Sequence, residues 1–271
     1  MGGLLPSMIL LLWAMAALLG PLLPLQPDQI DLPHILTGPA AEHWLGNDDL
    51  GRPIMDRLLL GARTSFLVAV GVVLISALIG TLLGAFAAYA GGLVDLLLIR
   101  VIDVFLAFPG ILLAIALAGV MGPGLDNVII ALSVVGWVGY ARLARAQVLT
   151  LKHRDHVLAA LALGAGRTRI VLRHLLPLIT APLIVEATFG VAAMVIAEAG
   201  LSFLGLGVQP PAASWGSMIR DGARYMLVAP HMVLAPGIAV LLVVLAVNLL
   251  GDRLRDYLDR QSAVITGRKS W

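Results

Sequence analysis

Residues 64–94 read TSFLVAVGVVLISALIGTLLGAFAAYAGGLV, a run without a single charged side chain. About 20 apolar residues wound as a helix cross the roughly 30 Å hydrocarbon core of a bilayer. Inside that core no water is available to bond the backbone, so the run must close its own hydrogen bonds as a helix. Residues 1–27, 104–125 and 225–251 are equally free of Asp, Glu, Lys and Arg, and residues 174–219 hold only Glu186 and Glu198. The whole chain is 60% hydrophobic and 13% charged, with a mean hydropathy of +0.98; a soluble domain carries about 25% charged residues. The expectation is an all-α integral membrane protein with six transmembrane helices. They fall near 4–24, 65–89, 98–121, 126–143, 178–201 and 232–250, the fourth being the shortest.

With both termini in the cytoplasm, the inner segments near 91–100, 142–177 and 251–271 collect most of the Lys and Arg. The outer segments keep Arg52, Arg57, Arg63, Arg220 and Arg224. The positive-inside rule favours that orientation. It also accounts for the pI of 9.3 without nucleic acid. The first span lacks the basic start of a secretory signal, and its apolar run is longer than such a signal needs. Cysteine is absent, which removes disulfides, thiolate catalysis and iron–sulfur ligation within the chain.

The organisation divides into three parts. Residues 1–63 form the first span and an outer segment, with Gly, Asn and Asp turns from His43 to Arg52. From Ile54 to Leu67 apolar residues such as Ile54, Leu58 and Ala62 recur at helical spacing, predicting an amphipathic helix at the interface. Residues 64–251 form the transmembrane core, with a polar cytoplasmic loop at 144–176, and residues 252–271 form a cytoplasmic tail. Gly80, Gly84 and Ala88, four apart, predict a face on which another helix can approach closely. Arg100 and Asp103 are spaced to pair on one helix face. Within the loop, Val157 to Leu163 is a short apolar helix that Gly164 and Gly166 stop and Pro177 follows, where span five opens. A short apolar helix in the cytoplasm asks for a docking partner. A second outer segment, Gly205 to His231, is large enough to meet another protein.

The chain has no G-x-x-x-x-G-K-[ST], H-E-x-x-H or G-x-S-x-G, so no phosphate-cradling loop, zinc protease helix or nucleophile elbow is encoded. Catalytic residues are expected to be none. His153 and His156 lack a third ligand, and no metal site is expected. Glu186 and Glu198 lie inside an apolar span, where an unpaired charge costs at least about 2.5 kcal/mol. Both are candidates for a translocation pathway. Glu186, about nine residues past Pro177, lies deep in the membrane and is the stronger one, while Glu198 is expected near the outer interface.

Leu158-Ala159-Ala160, Gly164 and His174-Leu175-Leu176-Pro177 have the spacing of the E-A-A-x3-G-x9-I-x-L-P signature. The chain thereby resembles the permeases of type I ABC importers, with Leu158 in place of Glu and His174 in place of Ile. Further stretches resemble the dipeptide, oligopeptide and nickel branch, its C-type subunit: His43-Trp44-Leu45-Gly46, Gly61-Ala62-Arg63, Phe108-Pro109, Glu198 through Gly207, Ser214-Trp215-Gly216 and Asn248 through Asp252. Members commonly carry a longer basic leader, where this chain passes from Met1-Gly2-Gly3 into apolar residues. The leader is expected to be either missing from this sequence or dispensable.

The resemblance implies a multi-pass subunit of the bacterial cytoplasmic (inner) membrane. It would form a heterodimer with a homologous second permease. One or two kinds of ABC ATPase subunit would bind the ATP and Mg, and an extracytoplasmic binding protein would deliver the solute. Val157, Leu158, Ala159, Ala160, Leu161, Leu163, Gly164, Ala165, Gly166 and Pro177 are then the ATPase-coupling loop, and Trp44, Asp49, Arg52, Trp215 and Arg220 the candidate extracytoplasmic contacts. Peptides are the expected cargo, with nickel the alternative. Two rivals belong to other classes. A proton-coupled secondary transporter would use Glu186 for coupling and need no ATPase. A membrane-embedded enzyme would have to work with two carboxylates about 18 Å apart along one helix.

Overall fold

The computed structural model describes residues 4–265, with side chains through Leu258. Residues 266–271, the end of the expected tail, lie outside the described residues. Among the described residues there is no strand, only an isolated bridge between Asn47 and Pro53. Helix α1 (Leu4–Leu19) ends in a 3-10 turn at Gly20–Leu22, where Pro21 cannot continue the α pattern. Helix α2 spans Ile54–Ala90. The amphipathic helix expected from Ile54 is the first part of one continuous helix with span two, because no proline interrupts it. Its Arg57 is buried in ion pairs with Asp28 and Asp48 and does not lie at a lipid surface.

The third span is broken. Helices α3 (Gly92–Leu106) and α4 (Gly110–Met121) are bent by 84° at a break that contains Phe108-Pro109, where proline supplies no donor and pushes the preceding residue out of the α region. Helix α5 (Leu125–Leu151) is longer than the expected fourth span, because its charged end stays helical past the apolar boundary. Asp95, near the start of α3, pairs with Arg145 near the end of α5. Met121, the last residue of α4, is joined to the start of α5 through residues 122–124. The bent pair, counted as one span, brings the spans long and apolar enough to cross a membrane from five to six among the described residues.

Helix α6 (Asp155–Ala162) is followed by a helical rod, Arg167–Phe203, built from α7 (Arg167–Arg169), a π-helical segment (Ile170–Leu175) and α8 (Leu176–Phe203). The expected start of span five at Pro177 thus lies inside a longer helix. Pro177 has no N–H to give the carbonyl four residues back, and the preceding turns widen so that Leu176 N–H reaches Val171 O instead. Helices α9 (Trp215–Ala223) and α10 (His231–Ile265) complete the chain. Arg100 and Asp103 are exposed and form no ion pair in the described structure; the pair in this region is Asp95 with Arg145.

The described residues form two compact units. One takes the chain up to Gly71, Ile115–Leu132 and Val191–Leu250. At its centre Trp13 packs edge-on against Phe66 (5.1 Å between rings) and at a tilt of 33° against Trp215 (6.1 Å), with Ile54, Val195, Met218 and Met232 around them. The other takes Val72–Ala114, Ser133–Gly190 and the chain from Gly251 onward. There the small-residue stripe acts as its spacing predicts: a Cβ on Gly80 would run into Trp137 O, and one on Gly84 into the backbone of Ala141. Helices α2 and α5 meet backbone to backbone at these glycines.

Candidate coupling surface and membrane carboxylates

Helix α6 opens with Asp155, whose charge suits a helix N-terminus. Val157 and Ala160, three apart, are buried; Val157 packs with Val148, Leu151, Ile170, Val171 and Leu175. These two residues anchor the helix to its own unit and present nothing outward, which removes them from the expected docking face. Leu158, Ala159 and Leu161 are exposed, and Leu163 at the C-cap is 89% exposed. The helix closes in a Schellman arrangement, Gly164 N–H to Leu161 O at 2.9 Å and Ala165 N–H to Ala160 O at 3.0 Å. Gly164 sits at φ +81°, a region in which a side chain is strained, and a Cβ there would meet nothing within 4 Å. Ala165 is half-buried, while Gly166 and Pro177 are exposed.

Two contacts that sequence reading missed steady the same unit. Arg145 grips Asp95 with two hydrogen bonds of 2.6 and 2.8 Å, the bidentate geometry that gives such pairs their strength. Lys152 Nζ donates to Ala88 O at 3.1 Å and caps the C-terminal end of α2. The signal available in sequence was opposite charge at span ends of matching depth, but fifty residues separate Asp95 from Arg145.

Glu186 is exposed on α8. It lines a cavity of about 400 Å³ with Leu143, Pro182, Val185, Phe189, Arg255 and others, and its Oε1 lies 3.4 Å from where a Cβ on Gly139 would stand. Glu198, twelve positions further on the same helix, is only 1% exposed. Ser65 Oγ donates to its Oε2 at 2.9 Å and Ser202 Oγ to its Oε1 at 2.7 Å. Glu198 thus reaches no open space and ties α2 to α8. Ser65 and Ser202 carried no signal of their own, since serine in a span is common.

Residues 46–53, between α1 and α2, are a folded knot. Asp48 Oδ1 accepts from the N–H groups of Leu50 and Arg52, both at 2.9 Å, and its Oδ2 holds Arg52 Nε at 2.7 Å. Arg52 is buried by this pairing, with a longer ion pair of 3.8 Å to Asp49. Burial and the neighbouring Asp48 charge push the Asp49 carboxyl above its ordinary range. Trp215 is only 3% exposed and donates to Leu58 O at 2.9 Å. Arg52 and Trp215 are therefore internal supports and not contact residues, a correction caused by tertiary burial of loop side chains. Arg220 is half-buried beside Asp221 at 3.1 Å. Trp44, 71% exposed, is the open member of the set. Among the described residues no group of three or more His, Asp and Glu is placed to hold a metal ion.

Comparison with known proteins places these features. Residues 80–263 match the family described as binding-protein-dependent transport system inner membrane component. The chain is 45% identical over 83% of its length to the dipeptide transport system permease protein DppC of Alkalihalophilus pseudofirmus, covering 74% of that protein. It is 42% identical to the glutathione transport system permease protein GsiD of Pectobacterium atrosepticum (93% of this chain, 84% of that protein). The nickel transport system permease protein NikC of Escherichia coli K12 is 43% identical (88% and 86%). A solved structure of the MetNI methionine ABC transporter in inward-facing conformations shares the fold, with a TM-score of 0.57 at 22% identity over 76% of this chain and 97% of that one. The secondary-transporter and enzyme readings fall away with these matches. The chain belongs to the inner membrane components of binding-protein-dependent transport systems, as a multi-pass ABC importer permease of the dipeptide and nickel branch.

Proposed function

We propose that this permease carries short peptides inward as half of a heterodimer with a homologous permease. ABC ATPase subunits of one or two kinds bind Mg and ATP on the cytoplasmic side, and a binding protein delivers the peptide from outside. The observation that carries this reading is α6: a helix pinned by Val157 and Ala160 while Leu158, Ala159, Leu161 and Leu163 stand exposed. An exposed leucine face on a short polar-flanked helix is stabilised by docking on another protein. Movement of that partner on ATP binding then passes through α7 and the π-helical segment into α8, biasing the inward-facing and outward-facing states. The peptide assignment leans on the dipeptide and glutathione permeases among the relatives, with the nickel permease as the alternative.

The test uses the absence of cysteine. Ala159→Cys gives a unique thiol on the exposed face of α6, and the chain is co-expressed with its ATPase subunits and crosslinked in inside-out membranes. Capture of an ATPase that changes with ATP is expected. A thiol that labels freely yet captures no ATPase defeats the coupling role. Calorimetry of the cognate binding protein with dipeptides, longer peptides and Ni²⁺ decides the cargo.

A further inference from the structure

The open cavity at Glu186 is lined by two groups of opposite charge. Glu186 comes from α8 and Arg255 from the far end of α10, and Leu143, Pro182, Val185 and Phe189 line it with them. Its volume of about 400 Å³ lies within the range of small-molecule sites. A divalent cation calls for several oxygen or nitrogen ligands, and a lone carboxylate that shares its chamber with a guanidinium is a poor one. A molecule carrying one positive and one negative end, with apolar groups between, matches both charges at once.

We propose that this cavity is a transit site for a short zwitterionic peptide. Glu186 receives the terminal ammonium, Arg255 the terminal carboxylate, and the apolar walls the side chains. Arg255 needs no vacancy for this, because its five donors let it keep a contact within the chain while its fork meets a carboxylate. Exposed Glu186 then offers its carboxylate to the ammonium of the passing solute. The inference rests on the peptide-importer reading and deepens it.

The test places Val185→Cys in the full complex, reconstituted in nanodiscs with its second permease and ATPase subunits. Reaction of this thiol with a water-soluble maleimide is followed on this chain alone, by mass, with alanyl-leucine, its N-acetyl form or its C-amide form present. Free alanyl-leucine is expected to slow labelling about tenfold, the size of a charge-assisted contact, and each blocked form is expected to protect far less. Glu186→Gln in the same background removes the difference between free and N-acetylated peptide, and Arg255→Gln the difference between free and amidated peptide. Equal protection by free and blocked forms overturns the proposal, as does a thiol that never labels, since then no solute reaches the chamber. Uptake of alanyl-leucine by the unmodified complex in proteoliposomes, supplied with ATP and the cognate binding protein, is measured in parallel. No uptake defeats the peptide reading, whereas uptake without protection at Val185→Cys defeats the transit site alone.

Discussion

Glu198 shows how a membrane span tolerates a carboxylate that does not face open space. With two serine hydroxyls on its two oxygens and 1% exposure, it holds α2 against α8. Removing it leaves both hydroxyls without their acceptor, a loss of about 1–3 kcal/mol for each buried group. Glu198→Ala is expected to lower the thermal midpoint of the purified complex by several degrees, and Ser65→Ala by less, with binding-protein affinity for peptide unchanged. A Glu198→Ala complex as heat-stable as the parent would show that the clamp carries no stability. The carboxylate was legible in sequence as costly, but its role was not, because Ser65 is 133 positions away. The glycine stripe was legible in part: the spacing of Gly80 and Gly84 announces a close-packing face, but not that α5 is the helix packed on it. A methyl at Gly84 meets the backbone of Ala141, which cannot swing aside, so Gly84→Ala is expected to cost about 1–3 kcal/mol by overpacking, measured as loss of folded protein in mild detergent. Recovery equal to the parent would refute it.

Helix boundaries were less legible than the helices. Hydropathy marks where lipid ends, not where hydrogen bonding ends, so α2, α5 and α10 all outrun their apolar cores. The π-helical segment Ile170–Leu175 was invisible for a different reason: Pro177 reads as a helix start, yet here it sits in a rod whose preceding turns absorb its missing donor. That segment joins α7 to α8, and its Ile170, Val171 and Leu175 are fully buried beneath α6. Pro177→Ala restores the donor and allows the α register. One residue of register turns the chain by about 100°, so α6 and its exposed leucines would swing away from their docking direction. ATP-driven uptake is expected to fall about tenfold, by loss of near 1.4 kcal/mol of coupling, while the variant still assembles in the membrane. Spin labels at Leu163→Cys and Leu178→Cys should report a changed distance. An unchanged distance with full uptake would mean that the widened turns are passive.

At the scale of the whole molecule the open question is how many times the chain crosses, and the bent pair α3 and α4 decides it. The pair has an angle of 84°, which by itself fits a re-entrant loop as well as a broken span. The Asp95–Arg145 pair ties the start of α3 to the charged end of α5, and labelling from the two sides of the membrane separates the alternatives. One broken span gives three crossings between Trp44 and Leu163 and predicts that they react from opposite sides of the membrane, with Leu163 on the cytoplasmic side by the charge bias; a re-entrant loop gives two and predicts the same side. The check is a pair of single-thiol variants in the full complex, probed with a membrane-impermeant maleimide. Trp44→Cys is expected to react in spheroplasts and Leu163→Cys only in inside-out vesicles. The reverse pattern would invert the orientation and leave the six spans standing. Reaction of both from one side would require an even number of crossings between them, making the pair a re-entrant loop and removing the sixth span.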